Sequence, residues 1–126
     1  MQINYEVRHL KPSGQYKDRQ EININGIPTM FMNGELEYLQ ELSGEDYGRT
    51  KEWCVSNLIP YMTRKSFNDR TSSYGLKHMC EADIGGEMGC SGWYVCNAAI
   101  KYILSELGYE HNPRWHYDIN YTYQLS

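Results

Sequence analysis

Apolar and polar residues alternate near both ends of the chain and follow a helical period between them. Ile3, Tyr5 and Val7 alternate with Gln2, Asn4, Glu6 and Arg8, and Ile22 and Ile24 share one side of 21–25. A period of two predicts half-buried strands. Between them, 11–19 holds Pro12, Ser13 and Gly14 and reads as a loop. Asn25-Gly26 predicts a two-residue hairpin, because both turn positions favour positive φ. Residues 27–32 are the return strand, with Pro28 suited to an edge or a strand start. Asn33-Gly34 repeats the turn signal, and 35–39 reads as a short strand or the first turn of a helix.

The period changes near Ser43. Ser43 and Asp46 resemble a capping box, and Glu45 and Asp46 suit the positive end of a helix. Tyr47, Thr50, Trp53, Cys54, Leu58 and Tyr61 follow helical spacing, and Pro60 should end that helix. After a polar connector over 62–70, a second helix is predicted from Ser72 or Ser73. Its buried stripe is Leu76, Met79, Cys80 and Ile84, and Gly85-Gly86 is its stop. Residues 87–92 form a loop and 93–95 a short extended piece. Asn97 is the predicted N-cap of a third helix, with Ile100, Ile103, Leu104 and Leu107 inward. Its predicted outward face is Ala98, Lys101, Tyr102, Ser105 and Glu106. Last, Trp115, Tyr117, Ile119, Tyr121, Tyr123 and Leu125 take every odd position, the pattern of a strand with one wet face.

The expectation is an α+β fold. An N-terminal antiparallel meander precedes about three helices and a C-terminal strand or hairpin, and the second half is loosely winged-helix-like. The order is β-β-β(-β)-α-α-β-α-β, in a single domain over 1–126 with a soft boundary near 62–70.

Composition changes this picture little. A chain of 126 residues with 40% hydrophobic and 22% charged content is large enough to build a core without disulfides. No apolar run approaches the ~18 residues of a membrane span. The stretch Met1-Gln2-Ile3-Asn4-Tyr5-Glu6 lacks the basic start and apolar centre of a signal peptide. The expected setting is a bacterial cytoplasm with reduced thiols.

Charge patterning adds more. Residues 1–48 and 80–126 are each net acidic, and 49–79 is net basic. Glu35, Glu37, Glu41, Glu45 and Asp46, next to Tyr47, form a candidate protein-binding surface. Arg64, Lys65, Arg70 and Lys77, with Tyr74 among them, form the alternative, a nucleic-acid-binding one.

Chemistry-bearing motifs are sparse. His78, Cys80, Cys90 and Cys96 lack the paired two- to four-residue spacing of a structural zinc site. They read as core or incidental thiols, with no metal or cofactor expected. Cys54 or Cys96 could meet His111 or His116 in space, which keeps a cysteine-dependent enzyme as a third reading. No nucleophile elbow, P-loop or dinucleotide fingerprint is present in the sequence, and a non-enzymatic protein is expected.

Ser73-Tyr74-Gly75-Leu76-Lys77-His78, then Trp93-Tyr94-Val95-Cys96-Asn97, then Leu107-Gly108-Tyr109, together resemble small proteins encoded by phages and other mobile elements. The resemblance covers roughly 72–109. It implies an accessory protein acting on host machinery, as inhibitors of CRISPR and other defence systems do. The expected partner is therefore a host protein or ribonucleoprotein such as a CRISPR effector. A nucleic-acid-binding accessory protein with a helix-turn-helix-like second half is the alternative.

Overall fold

The computed structural model describes residues 6–9, 19–32, 34–89, 93–112 and 120–126, apart from the side chains of Arg8 and His9. Three antiparallel strands form one sheet in the order β1-β2-β3: β1 (Glu6–His9), β2 (Arg19–Ile24) and β3 (Ile27–Met32). The Asn-Gly hairpin forms where the sequence places it. Asn25 and Gly26 have φ of 52° and 84°, and the Gly26 N–H donates to Asn23 Oδ1 at 3.0 Å. Ile22 pairs with Thr29 and Gln20 with Phe31, which puts these side chains with Ile24 on the buried face.

The outer edge of β3 is closed by side chains. Alternate residues of an antiparallel strand turn their N–H and C=O away from the partner. In β3 one such set is Pro28, Met30 and Met32. Pro28 has no N–H to satisfy. The Met30 N–H donates to Tyr121 Oη at 2.8 Å, and its carbonyl accepts from Lys101 Nζ at 2.6 Å. The Met32 N–H donates to Glu35 Oε1 at 2.9 Å. The edge position suggested for Pro28 therefore holds.

Residues 35–41 are helical and not a strand: α1 (Glu35–Glu41) buries Leu36 and Leu39, a spacing that only a helix puts on one side. Helix α2 (Gly44–Asn57) starts at the predicted cap, with Ser43 Oγ accepting the Asp46 N–H at 3.1 Å. Such a cap contributes about 1 kcal/mol. Thr50, Trp53, Cys54 and Leu58 are buried as the spacing predicts, whereas Tyr61 is exposed beyond a 3-10 turn (Ile59–Tyr61) that holds Pro60. Helix α3 (Ser73–Glu87) is capped by Ser72. It differs from expectation twice. Met79 is exposed, because Ser73, Leu76, Lys77, Cys80 and Ile84 already fill the inner stripe. The helix also runs through Gly85-Gly86, where Gly85 is buried, and leaves only at Gly89, with φ of 63°.

Helix α4 (Asn97–Glu106) is the centre of the molecule. It packs on α1, α2, α3, β2 and β3, and every residue from 98 to 105 is buried. The outward face predicted for it does not exist: Ala98, Lys101, Tyr102 and Ser105 are enclosed, and only Glu106 is partly open. A helix surrounded on all sides shows the same inward stripe as an amphipathic one, so the stripe could not reveal the second burial. Its cap is Cys96 and not Asn97, whose Nδ2 donates to Asn120 Oδ1 at 2.8 Å.

Of the predicted last strand, 115–119 lie outside the described residues. In 120–126 the only pairing is a bridge between Thr122 and Ser72. Tyr121, Tyr123 and Leu125 are buried as predicted, but so is Thr122. The segment is fixed by irregular bonds: Ser73 N–H to Tyr121 O at 2.6 Å, Asn68 N–H to Tyr123 O at 2.8 Å and Arg64 N–H to Gln124 O at 3.2 Å. It closes over the 62–70 connector and adds no strand to the sheet. Residues 93–96 are likewise unpaired. Among the described residues there is thus no wing for a winged helix, and there are four α-helices where about three were predicted. The α+β class and the N-terminal meander stand. One contiguous core joins Phe31, Leu39, Trp53, Leu76, Ile100, Tyr123 and their neighbours. No helix among the described residues is long and apolar enough to cross a membrane.

Candidate functional site

The corner where α1 turns into α2 faces the irregular segment 93–96. Leu42 is extended, with φ of −60° and ψ of 129°, and carries the chain from the last turn of α1 to the Ser43 cap. A groove of about 480 Å³ lies between the corner and the segment. Tyr38, Trp93 and Tyr94 supply its aromatic surface, Leu42 and Cys96 its less exposed part, and Glu41 and Asp46 its carboxylates. Tyr38 and Tyr94 are 63% and 62% exposed, far more than packing would leave them. Burial pushes the Tyr94 phenol and the Cys96 thiol up, and the nearby Glu35 charge adds to both.

The predicted acidic set divides into two groups. Glu37 and Glu41 on α1 and Glu45 on α2 are exposed and Asp46 is half-exposed, and of the four Glu41 and Asp46 line the groove. Glu45 pairs with Arg49 at 2.6 Å, and Arg49 reaches Asp46 only at 3.8 Å. Glu35 and Tyr47 have structural tasks. Glu35 receives the Met32 N–H. Tyr47 is half-buried and donates its hydroxyl to Glu106 Oε1.

Glu106 gathers a network between α2 and α4. Lys51 Nζ meets Glu106 Oε1 at 2.8 Å, and Tyr102 Oη donates to Glu106 Oε2 at 3.2 Å. Burial pushes the Glu106 carboxyl up, but hydrogen bonds from Lys51, Tyr47 and Tyr102 outweigh it and hold the group below the usual carboxylate range. Burial, then the Glu106 charge, pushes Tyr102 up to about 12. The hydrogen bond to Glu106 raises Lys51. The sequence reading missed this network, although the spacings of Tyr47 with Lys51 and of Tyr102 with Glu106 were visible as adjacent helical turns.

The predicted basic set is not gathered on one surface element. Arg64, Lys65 and Arg70 are exposed on the 62–70 connector, and Tyr74 is 51% exposed at the start of α3. Lys77 does not belong to an exposed basic surface, for it is only 7% exposed. Its Nζ lies 3.4 Å from Glu81 Oε1 and 4.5 Å from the centroid of the Tyr94 ring, which leaves its charge internally paired.

Cys54, Cys80 and Cys96 are buried thiols. Burial raises all three, Cys80 to about 12, so each stays protonated near neutral pH. His111 stacks on Tyr121 with ring centroids 3.6 Å apart. Cys90 and His116 lie outside the described residues. Among the described residues no three His, Cys, Asp or Glu side chains gather in an ion-holding arrangement.

The groove was not found from sequence. Tyr38, Trp93, Tyr94 and Cys96 were each visible, but only the fold brings α1 to 93–96. Comparison with known proteins returns nothing: no family model, no curated protein and no solved structure matches the chain.

Proposed function

We propose that this chain is a non-enzymatic inhibitor or modulator that docks, through the acidic and aromatic α1–α2 corner, on a basic surface of a host protein or ribonucleoprotein such as a CRISPR effector. The observation that carries the reading is the groove, where aromatic rings meet the Glu41 and Asp46 carboxylates. Exposed aromatic residues are the commonest anchors of protein interfaces. Surfaces that bind nucleic acid are strongly basic, so an acidic corner can occupy one in competition with its nucleic acid. The protonated thiols weigh against the cysteine-enzyme reading. The internal pairing of Lys77 removes one of the four cations from the nucleic-acid reading.

Capture from bacterial lysate across a salt series tests the proposal. The expected result is a defined basic partner, released by added nucleic acid. A variant carrying Glu37→Lys, Glu41→Lys, Glu45→Lys and Asp46→Lys should lose it. Equal retention by both chains removes the reading.

A further inference from the structure

Resting on that reading, we infer that the groove between α1 and 93–96 is an anchor pocket for one arginine side chain of the partner, its guanidinium stacked on the aromatic rings and its N–H groups directed at Glu41 and Asp46. Three features of the groove specify this chemistry.

The first is the pairing of aromatic faces with carboxylates. An apolar side chain would use the rings and leave Glu41 and Asp46 without a counter-charge. A lysine ammonium would meet the charge, but it is compact and strongly hydrated. A guanidinium is planar, weakly hydrated, stacks on aromatic rings and presents a donor fork to carboxylates. The second is availability. Among the described residues the Asp46 carboxylate has only the 3.8 Å approach of Arg49, whose shorter contact is with Glu45. No hydrogen bond or ion pair of the fold employs the Glu41 carboxylate among the described residues.

The third is that Tyr94 already receives a cation. Lys77 Nζ lies 4.5 Å from its ring centroid, balanced by Glu81. With that contact made, Tyr94 remains 62% exposed. Two local features oppose a cation: the Arg49 guanidinium, 3.8 Å from Asp46, and the positive end of α2 at Ser43. Glu45 holds the first at 2.6 Å, and Glu45 and Asp46 in the first turn offset the second.

The test uses three blocked glycine-flanked peptides, whose central residue is arginine, lysine or the uncharged isostere citrulline. Each is titrated into the full chain labelled with ¹⁵N. The indole N–H of Trp93, identified by its loss in Trp93→Phe, is the reporter. The arginine peptide is expected to shift this signal with a Kd on the order of 1 mM, reasonable for one side chain. The lysine peptide should bind several-fold more weakly and the citrulline peptide not at all. Glu41→Gln with Asp46→Asn should weaken the arginine peptide about tenfold. Unchanged dispersion elsewhere in the spectrum shows that this variant still folds. Equal binding of arginine and citrulline, equal binding of arginine and lysine, or a silent Trp93 signal overturns the inference. If the peptides fail while the four-residue charge reversal still abolishes partner capture, the docking reading survives without the arginine pocket. If capture also survives the reversal, both fall.

Discussion

Helix α4 and the α1–α2 corner both carry charge, and they use it in opposite ways. On α4, Lys101 is wholly enclosed. Its Nζ donates to the Met30 carbonyl and lies 4.7 Å from the Phe31 ring centroid and 5.3 Å from that of Tyr121. Glu106, on the same helix, is tied to Tyr47, Lys51 and Tyr102. These charges close a strand edge and join helices. At the corner, Glu37, Glu41 and Glu45 face solvent, and apart from the surface pairing with Arg49 the fold takes little from them. A buried charge is costly unless fully partnered, so its removal is felt in stability. An exposed carboxylate contributes little to folding and remains available to a partner. The charges that stabilise this chain are thus enclosed and partnered, and the corner's exposed carboxylates are not among them.

The enclosed charge at Lys101 should respond most strongly to substitution. Lys101→Ala leaves the Met30 carbonyl without that donor and opens a cavity beside Phe31 and Tyr121, at an expected cost of about 3 kcal/mol. Lys101→Met keeps most of the volume and should cost about 1 kcal/mol, since well-packed apolar replacements of buried ionic groups are often tolerated. Lys65→Ala, on the exposed connector, should stay within about 0.5 kcal/mol. Urea denaturation midpoints measure all three. A Lys101→Ala midpoint close to that of Lys65→Ala would mean that the enclosed lysine is incidental to the fold.

The next effect is smaller and depends on pH. Glu106 has its folded pKa below the ordinary carboxylate value. Its contribution is therefore fully present above the unfolded pKa and fades as pH falls through the folded one. Glu106→Gln should cost about 1–2 kcal/mol at neutral pH, the usual worth of hydrogen bonds to a charged group. The gap from the native chain should narrow as the solution is acidified through and below the ordinary carboxylate range. Parallel pH profiles of the two chains would show that the Tyr47–Lys51–Tyr102 network does not act through the carboxylate charge.

The same contrast explains what could be read from sequence. Local chemistry was legible. Asn25-Gly26 can form its turn whatever surrounds it, and Ser43 and Ser72 cap helices through N–H groups three residues away. The stripe Thr50, Trp53, Cys54 and Leu58 was legible because α2 has one wet side. Side-chain fates set by distant segments were not. Lys77 and Lys101 carry the residue type of a surface, and their burial depends on Tyr94 and Glu81 for one and on Met30, Phe31 and Tyr121 for the other. Of the candidate site, the acidic corner could be anticipated from a run of carboxylates with no lysine or arginine among them. Its aromatic half could not, because Trp93 and Tyr94 reach Tyr38 only through the central placement of α4.

Arg49, at the exposed corner, should affect stability least. Arg49 pairs with Glu45 and reaches toward Asp46, with its own side chain 39% exposed and the two partners 71% and 42% exposed. Exposed pairs on one helix face contribute less than about 0.5 kcal/mol, so Arg49→Ala should barely move the urea midpoint. Binding should move more than folding. Removing the guanidinium deletes the cation that reaches toward Asp46 and leaves that carboxylate without a competitor for an incoming arginine. The arginine peptide should then bind about twofold more tightly at low salt. The gain should shrink as salt is raised, because charges at this exposure are screened over about 10 Å at 0.1 M. A loss of stability without a gain in binding would place Arg49 among the structural charges with Lys101. A gain without a loss would place the corner's charges at the service of a partner.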